Sequence, residues 1–236
     1  MSLFDKVEVP RKPMIIFFVV DTSENMGGEK SVCVNMAIKK IFSEICATFD
    51  KPDYSHAQIK IAVLEYSTYT RWQYPQPIEV NDIVHPPLLI EASGNASFGQ
   101  MFNALNEKLT LKSDGFLSNF IYAPIVIFFS NGKSNDGHKD HLSKLKSNNW
   151  FKCSTKIAIA IGEDANIDLL SELTGAMDNV IEVQNVCCLS NTILRLIMKN
   201  IKFVDVHINE PIDINEVIEY TPINNTTEQY DDDDLW

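Results

Sequence analysis

Met14-Ile15-Ile16-Phe17-Phe18-Val19-Val20-Asp21-Thr22-Ser23-Glu24-Asn25-Met26-Gly27-Gly28 is a continuous apolar run that stops on an acid and opens into a polar, glycine-ended loop. A run with no solvent face predicts a strand buried on both sides, as in a parallel sheet covered by helices. It is much shorter than the ~20 residues of a membrane span. No small-residue cleavage site follows it, so it is expected to be neither an anchor nor a leader peptide. After Gly28, apolar residues recur at Val34, Ile38, Ile41, Ile45 and Phe49, with Lys39, Lys40, Ser43 and Glu44 between them. That spacing predicts an amphipathic helix from Gly28 to Phe49.

Working outward, Ile59, Ile61 and Val63 alternate into Tyr66, and Ile125 to Phe129 and Ile157 to Ile161 are further apolar runs. Helical spacing recurs near Ser97 to Lys108, Asp136 to Lys146, Ile167 to Leu173 and Cys188 to Lys199. Trp72 to Val80 carries Pro75 and Pro77, which suits an edge strand because proline donates no ladder hydrogen bond. Strands alternating with helices predict a doubly wound α/β fold: a mostly parallel six-stranded sheet, helices on both faces and one antiparallel edge strand. We expect this domain to fill residues 1–202.

The 236 residues, 45% of them hydrophobic, suit one sizeable core rather than two. The net charge of −12 is unevenly placed: residues 203–236 hold ten of the 32 acids and none of the 20 Lys and Arg, leaving the body at −2. A near-neutral body lacks the basic footprint of a nucleic-acid binder. In the extension, Val204, Val206 and Ile208 alternate like a strand and Asn224 to Asp234 is polar enough to stay disordered. The five cysteines are odd in number and scattered, which fits a reducing cytoplasm better than a disulfide framework.

In an open α/β sheet, ligands bind beyond the carboxyl ends of the strands, where strand order reverses. Three polar loops belong there: Asp21 to Glu29, Ser93 to Gly99, and Ser130 to Lys133. With Asp21-Thr22-Ser23 followed by Met26, Gly28 and Glu29, and Ala160-Ile161-Gly162-Glu163-Asp164-Ala165 ahead of Leu169-Leu170, residues 12–202 resemble the von Willebrand factor A domains. Among these the chain looks most like the bacterial tellurite-resistance-associated proteins. The resemblance implies a metal-ion-dependent adhesion site. In that family an Asp and two Ser of the first loop, a Thr of the second and an Asp of the third hold Mg²⁺, whose open position takes a partner's carboxylate. Here Asp21 and Ser23 match, whereas Asn25, Ala96 and Asn131 stand where the second Ser, the Thr and the second Asp belong. Magnesium leans on one or two carboxylates, and only Asp21 remains. The expectation is a weak or lost metal site at Asp21, Ser23, Asn25 and Asn131, with no resident cofactor. Asn25 and Asn131 still carry carbonyl oxygens, and Ser97 could supply the hydroxyl if the second loop shifted by one residue.

Other constellations carry less. His138 and His141, three apart beside Asp136 and Asp140, have a spacing that could ligate zinc, or they lie on a solvated helix. Cys187-Cys188 could form a vicinal disulfide or two reduced thiols at a helix start. No nucleophile with an adjacent base stands out and no phosphate-cradling glycine motif is present, which argues against an enzyme. An unrecognised hydrolase near His138 is the remaining catalytic alternative.

The expected function is a non-catalytic protein-interaction module, with Asn95, Ala96, Ser97, Phe98 and Lys133 as the docking surface. The family resemblance implies a scaffold in a bacterial stress-response or defence system, with a protein kinase or a PP2C-type phosphatase as partner. The alternative is a Mg²⁺-dependent binder of a partner carboxylate. The extension ends Asp231-Asp232-Asp233-Asp234-Leu235-Trp236, four acids leading into two apolar side chains. It is expected to dock, through Leu235 and Trp236, on a basic groove of a partner or on this chain's own Lys139, Lys144 and Lys146 region.

Overall fold

The computed structural model describes residues 12–49, 57–83, 92–117, 122–134, 136–182 and, within a last helix, 191, 193–195 and 197–199. The expected strand at Val204 to Ile208, the pair Cys187-Cys188 and the terminal Leu235 and Trp236 lie outside the described residues.

The opening run forms β1 (Lys12–Asp21), followed by α1 (Glu29–Phe49), β2 (Ala57–Tyr66) and two short strands, β3 (Thr70–Trp72) and β4 (Ile78–Glu79). Then come α2 (Phe98–Lys108), β5 (Ile125–Ser130), α3 (Lys139–Ser147), α4 (Asn149–Cys153), β6 (Thr155–Ala160), α5 (Ile167–Thr174) and β7 (Val180–Glu182). The sheet runs β3-β2-β1-β5-β6-β7, with β4 also paired to β2. β1, β2, β5, β6 and β7 are parallel, and β3 and β4 run antiparallel to β2. The sheet therefore has seven strands rather than six. The single edge strand expected over Trp72 to Val80 is broken into two, with Pro75 and Pro77 in the gap. The five-residue α4 and three-residue β7 are too short to show a period, and no such element was expected there.

β1 is apolar throughout because each face meets a separate core. Met14, Ile16, Phe18 and Val20 join Val34, Ile38, Ile41 and Ile45 of α1, together with Ile193 and Ile197 of the last helix. Ile15, Phe17 and Val19 join Phe98, Phe102 and Leu105 of α2, Leu142 and Leu145 of α3, and Leu170 of α5. α3 starts at Lys139, later than the expected Asp136, because Asp136 and His138 fold back toward α2 instead. Cys33 and Cys46 of α1 are half-buried.

One polar residue joins the second layer. Asn148 Oδ1 accepts from Trp150 N at 2.8 Å and Phe151 N at 3.3 Å, capping α4. Its Nδ2 donates to Asn106 Oδ1 at 2.9 Å and to Leu109 O at 3.0 Å, at the end of α2. Asn148→Ala removes the cap and leaves the Leu109 carbonyl short of a donor, so chemical denaturation should show a loss of about 2 kcal/mol. Asn148→Asp, which keeps the cap, should recover part of it.

Candidate functional site

Strand order reverses between β1 and β5, since β2 lies to one side of β1 and β5, β6 and β7 follow on the other. The register sets Asp21 beside Tyr66 of β2 and Val20 beside Phe129 of β5, so Ser130 comes level with Asp21 across the switch point. Asp21 is 2% exposed. Its Oδ1 accepts from Ser23 N at 2.9 Å, and its Oδ2 accepts from Ser130 Oγ at 2.8 Å and Tyr66 OH at 3.4 Å. Burial pushes the Asp21 carboxyl above its ordinary value, while the bonds from Ser23, Ser130 and Tyr66 pull it back down. Burial, with Asp21's charge beside it, drives the Tyr66 phenol well up, which keeps it a protonated donor.

The loops are hung from one another by main chain. Glu24 N donates to Gly94 O and Ser93 N to Thr22 O, each at 2.9 Å, tying the first loop to the second. The second is held in turn by the β2–β3 turn: Ser97 N donates to Ser67 O and Asn95 N to Thr68 Oγ1, both at 3.0 Å. Gly94 adopts φ 74°, and a Cβ there would run into Thr68 Oγ1, so glycine is required twice over. In the third loop Asn131 Oδ1 accepts from Lys133 N at 3.0 Å, which orients the amide. Ser23 Oγ and Asn131 Nδ2 are both buried and have no hydrogen-bond partner among the described residues.

Ser23 N bonds Asp21, and Asn131 follows the Ser130 whose hydroxyl bonds Asp21, while the remaining candidates part company. Asn25 is exposed on the loop surface and Ser97 is half-buried. Ala96 is 0% exposed and Phe98 1%, with the Phe98 ring edge-on to Tyr66 at 5.4 Å. These two belong to the core and cannot present themselves to a partner, because the aromatic floor of the second loop gains more from burial than a small loop tip would from contact. Of the expected docking set, Asn95 is exposed and Ser97 and Lys133 are half-buried. Tyr66 and Thr68 brace the candidate site and were missed by sequence reading, which named Ser130 only as a loop member and Asp136 only beside the histidines. Their signal was positional: Tyr66 and Ser130 end β2 and β5 as Asp21 ends β1. Tyr69, also missed, is 77% exposed at the β2–β3 turn.

His138 and His141 do not share a ligand position. His138 Nδ1 lies 2.8 Å from Ser134 Oγ and its ring meets Phe98 and Phe102, whereas His141 Nδ1 pairs with Asn103 Oδ1 at 3.0 Å. Among the described residues no group of three or more His, Cys, Asp or Glu could hold a metal ion. Ser134, His138 and Asp136 also fail as a catalytic relay. Ser134 Oγ donates to Asp136 Oδ1 at 2.8 Å, and serine and aspartate both lie on the Nδ1 side of the ring. A relay needs the acid on one ring nitrogen and the nucleophile on the other. Asp136 instead accepts from Gly99 N at 2.8 Å, pinning the third loop to the first turn of α2.

The von Willebrand factor type A domain family model matches residues 16–192. No curated protein matches the chain in sequence. The fold is similar to proximal thread matrix protein 1 of the mussel byssus in a form with a zinc-occupied metal-ion-dependent adhesion motif (TM-score 0.56, 19% identity, 81% of this chain and 48% of that one). It is also similar to a von Willebrand factor type A protein of Catenulispora acidiphila (TM-score 0.58, 14% identity, 80% and 43%). A third similar structure is the pilus adhesin SpaC of Lactobacillus rhamnosus GG (TM-score 0.59, 10% identity, 81% and 30%). The chain spans less than half the length of each of these three.

Because the folded state holds the Asp21 proton more tightly than the unfolded state, stability should fall as pH rises from the ordinary aspartate value, about 3.9, through the raised one. Urea midpoints measured across the acid range should lose this downward component in Asp21→Asn.

Proposed function

The chain belongs to the von Willebrand factor type A domain family, and on that premise we propose a non-catalytic docking module whose face at the carboxyl ends of the strands binds a protein partner without a divalent cation. One observation carries this reading: both oxygens of Asp21 are already engaged by donors from this chain. Toward a cation the loops add the Ser23 hydroxyl, but Asn131 presents an amide N–H₂, a donor, because its oxygen is held by Lys133 N. Ala96 has no ligating atom. A divalent ion that dehydrates reluctantly and wants oxygen ligands around it does not fit this set.

The docking surface on this reading is the exposed Tyr69 and Asn95 with the half-buried Ser97 and Lys133, an aromatic with adaptable polar groups. That composition suits a protein interface, where a rigid aromatic anchors and polar neighbours adjust. The resemblance to the tellurite-resistance-associated proteins suggests a cytoplasmic scaffold in a bacterial stress-response or defence system, meeting a protein kinase or a PP2C-type phosphatase. A second reading, Mg²⁺-dependent capture of a partner carboxylate, draws on the orphaned Ser23 hydroxyl beside Asp21.

Calorimetric titration separates the two. The native chain should show no sub-millimolar binding of Mg²⁺ or Mn²⁺, and Asn25→Ser, Ala96→Thr and Asn131→Asp together should create it. Sub-millimolar binding by the native chain that vanishes in Asp21→Ala would establish the metal-dependent reading instead. In pull-downs with the full-length chain, partner retention should be unchanged by EDTA. Tyr69→Ala should weaken it by about 2 kcal/mol, roughly thirtyfold, as for an interface anchor. Full retention by Tyr69→Ala combined with Asn95→Lys would move the interface off this face.

A further inference from the structure

At the carboxyl ends of the strands, three segments far apart in sequence bring a charge cluster together. Lys30 Nζ, from the first turn of α1, donates to Asp164 Oδ1 at 2.7 Å. Lys133 Nζ, from the loop after β5, donates to Asp164 Oδ2. Each ammonium has three N–H donors, and among the described residues neither has a second partner. Two positive charges thus share one negative charge, leaving the cluster at +1. The hydrogen bond from Lys133, then that from Lys30, holds the Asp164 carboxyl well below the usual carboxylate range.

This arrangement is built into the backbone. Lys133 N is fixed by Asn131 Oδ1, which holds the backbone that carries the lysine. Gly162, at φ 90°, leaves room for the stem of Lys30: a Cβ there would come within 2.5 Å of Lys30 Cε and 2.9 Å of its Nζ. Asn166 N donates to Asn131 O at 2.7 Å, locking the Asp164 loop against the third loop. The Asp164 side chain is the most exposed of the three, at 55% against 41% for Lys133 and 26% for Lys30, so solvent and solutes reach its seat.

We propose that Lys30 and Lys133 form a carboxylate-binding site which Asp164 occupies in the resting chain, and which takes a single Asp or Glu side chain of a protein partner in its place. The ligand class follows from the carboxylate already seated there, bonded through both its oxygens, and from the surplus positive charge. Glu29 and Glu163, adjacent in sequence to Lys30 and Asp164 and both exposed, disfavour a run of acids, so the fitted side chain stands alone. The proposal rests on the docking reading above and refines it, with ammonium groups supplying the positive charge.

The test is a nuclear magnetic resonance titration of the full-length chain with N-acetylglutamate α-amide, following the Lys133, Gly162 and Ala165 backbone amides. N-acetylglutamine α-amide is the uncharged control. Asp164→Asn, which removes the internal competitor, should bind the carboxylate about tenfold more tightly than the native chain, a change of about 1.4 kcal/mol. Lys133→Met and Lys30→Met, each placed in the Asp164→Asn background, should abolish that gain. Lys→Gln versions guard against a folding defect, and an unchanged amide spectrum elsewhere confirms the fold. The site is overturned if Asp164→Asn binds no better than the native chain, if the lysine variants keep the gain, or if the glutamine compound shifts the same amides. Because no partner protein enters this titration, such a result leaves the Tyr69 and Asn95 docking reading to stand or fall by its own pull-down.

Discussion

A carboxylate buried at the switch point of a sheet is the constraint on which the rest of this molecule depends. An unpaired charge in that environment would cost several kcal/mol, so the fold has to deliver donors to Asp21 from more than one direction. Ser23 N comes from its own loop, Tyr66 OH from the end of β2 and Ser130 Oγ from the end of β5. Satisfying one side chain therefore aligns three parallel strand ends and fixes the course of the loops that leave them. The same bonds leave neither oxygen of Asp21 without a donor from this chain.

Around that centre the loops form one hydrogen-bonded unit rather than three independent tips. The first loop holds the second through Glu24 N and Ser93 N, and the β2–β3 turn holds the second through Ser67 and Thr68. Asp136 ties the third loop to α2 at Gly99. Beneath them, Phe98, Phe102, Tyr66 and the ring of His138 make an aromatic floor. A platform so braced presents few side chains outward, but it holds those few in place, which lowers the ordering cost of binding. Tyr69 and Asn95 stand exposed on this platform, and Lys30 and Lys133 grip Asp164 at its edge.

The strands and the long helix were legible because their apolar patterns are long. β1 reads as buried on both faces, and the structure shows odd and even residues entering separate cores. The edge was less legible: Pro75 and Pro77 marked an edge strand correctly in place but concealed that it splits in two. That Asp21, Ser23 and Asn131 lie at one end of the sheet was legible, because each sits at or just after a strand end and loops at strand ends share one side of a parallel sheet. Phe98 was misjudged as a contact residue. A loop sequence does not say whether an aromatic points into the core or away from it, and here Tyr66 and Phe102 offered a better neighbour than water.

What the sequence determined by itself was the alternation of elements, the two-sided burial of the central strands and the concentration of acid in residues 203–236. Each is a property of neighbouring residues, carried by side-chain period and composition. Only the tertiary structure decided that Ser130, 109 residues away, donates to Asp21, and that Lys30 and Asp164, 134 apart, share a charge. Such pairings follow from strand order and from how the loops lock together. Local periodicity determines which face of an element is buried, but it does not encode which distant elements will lie against that face.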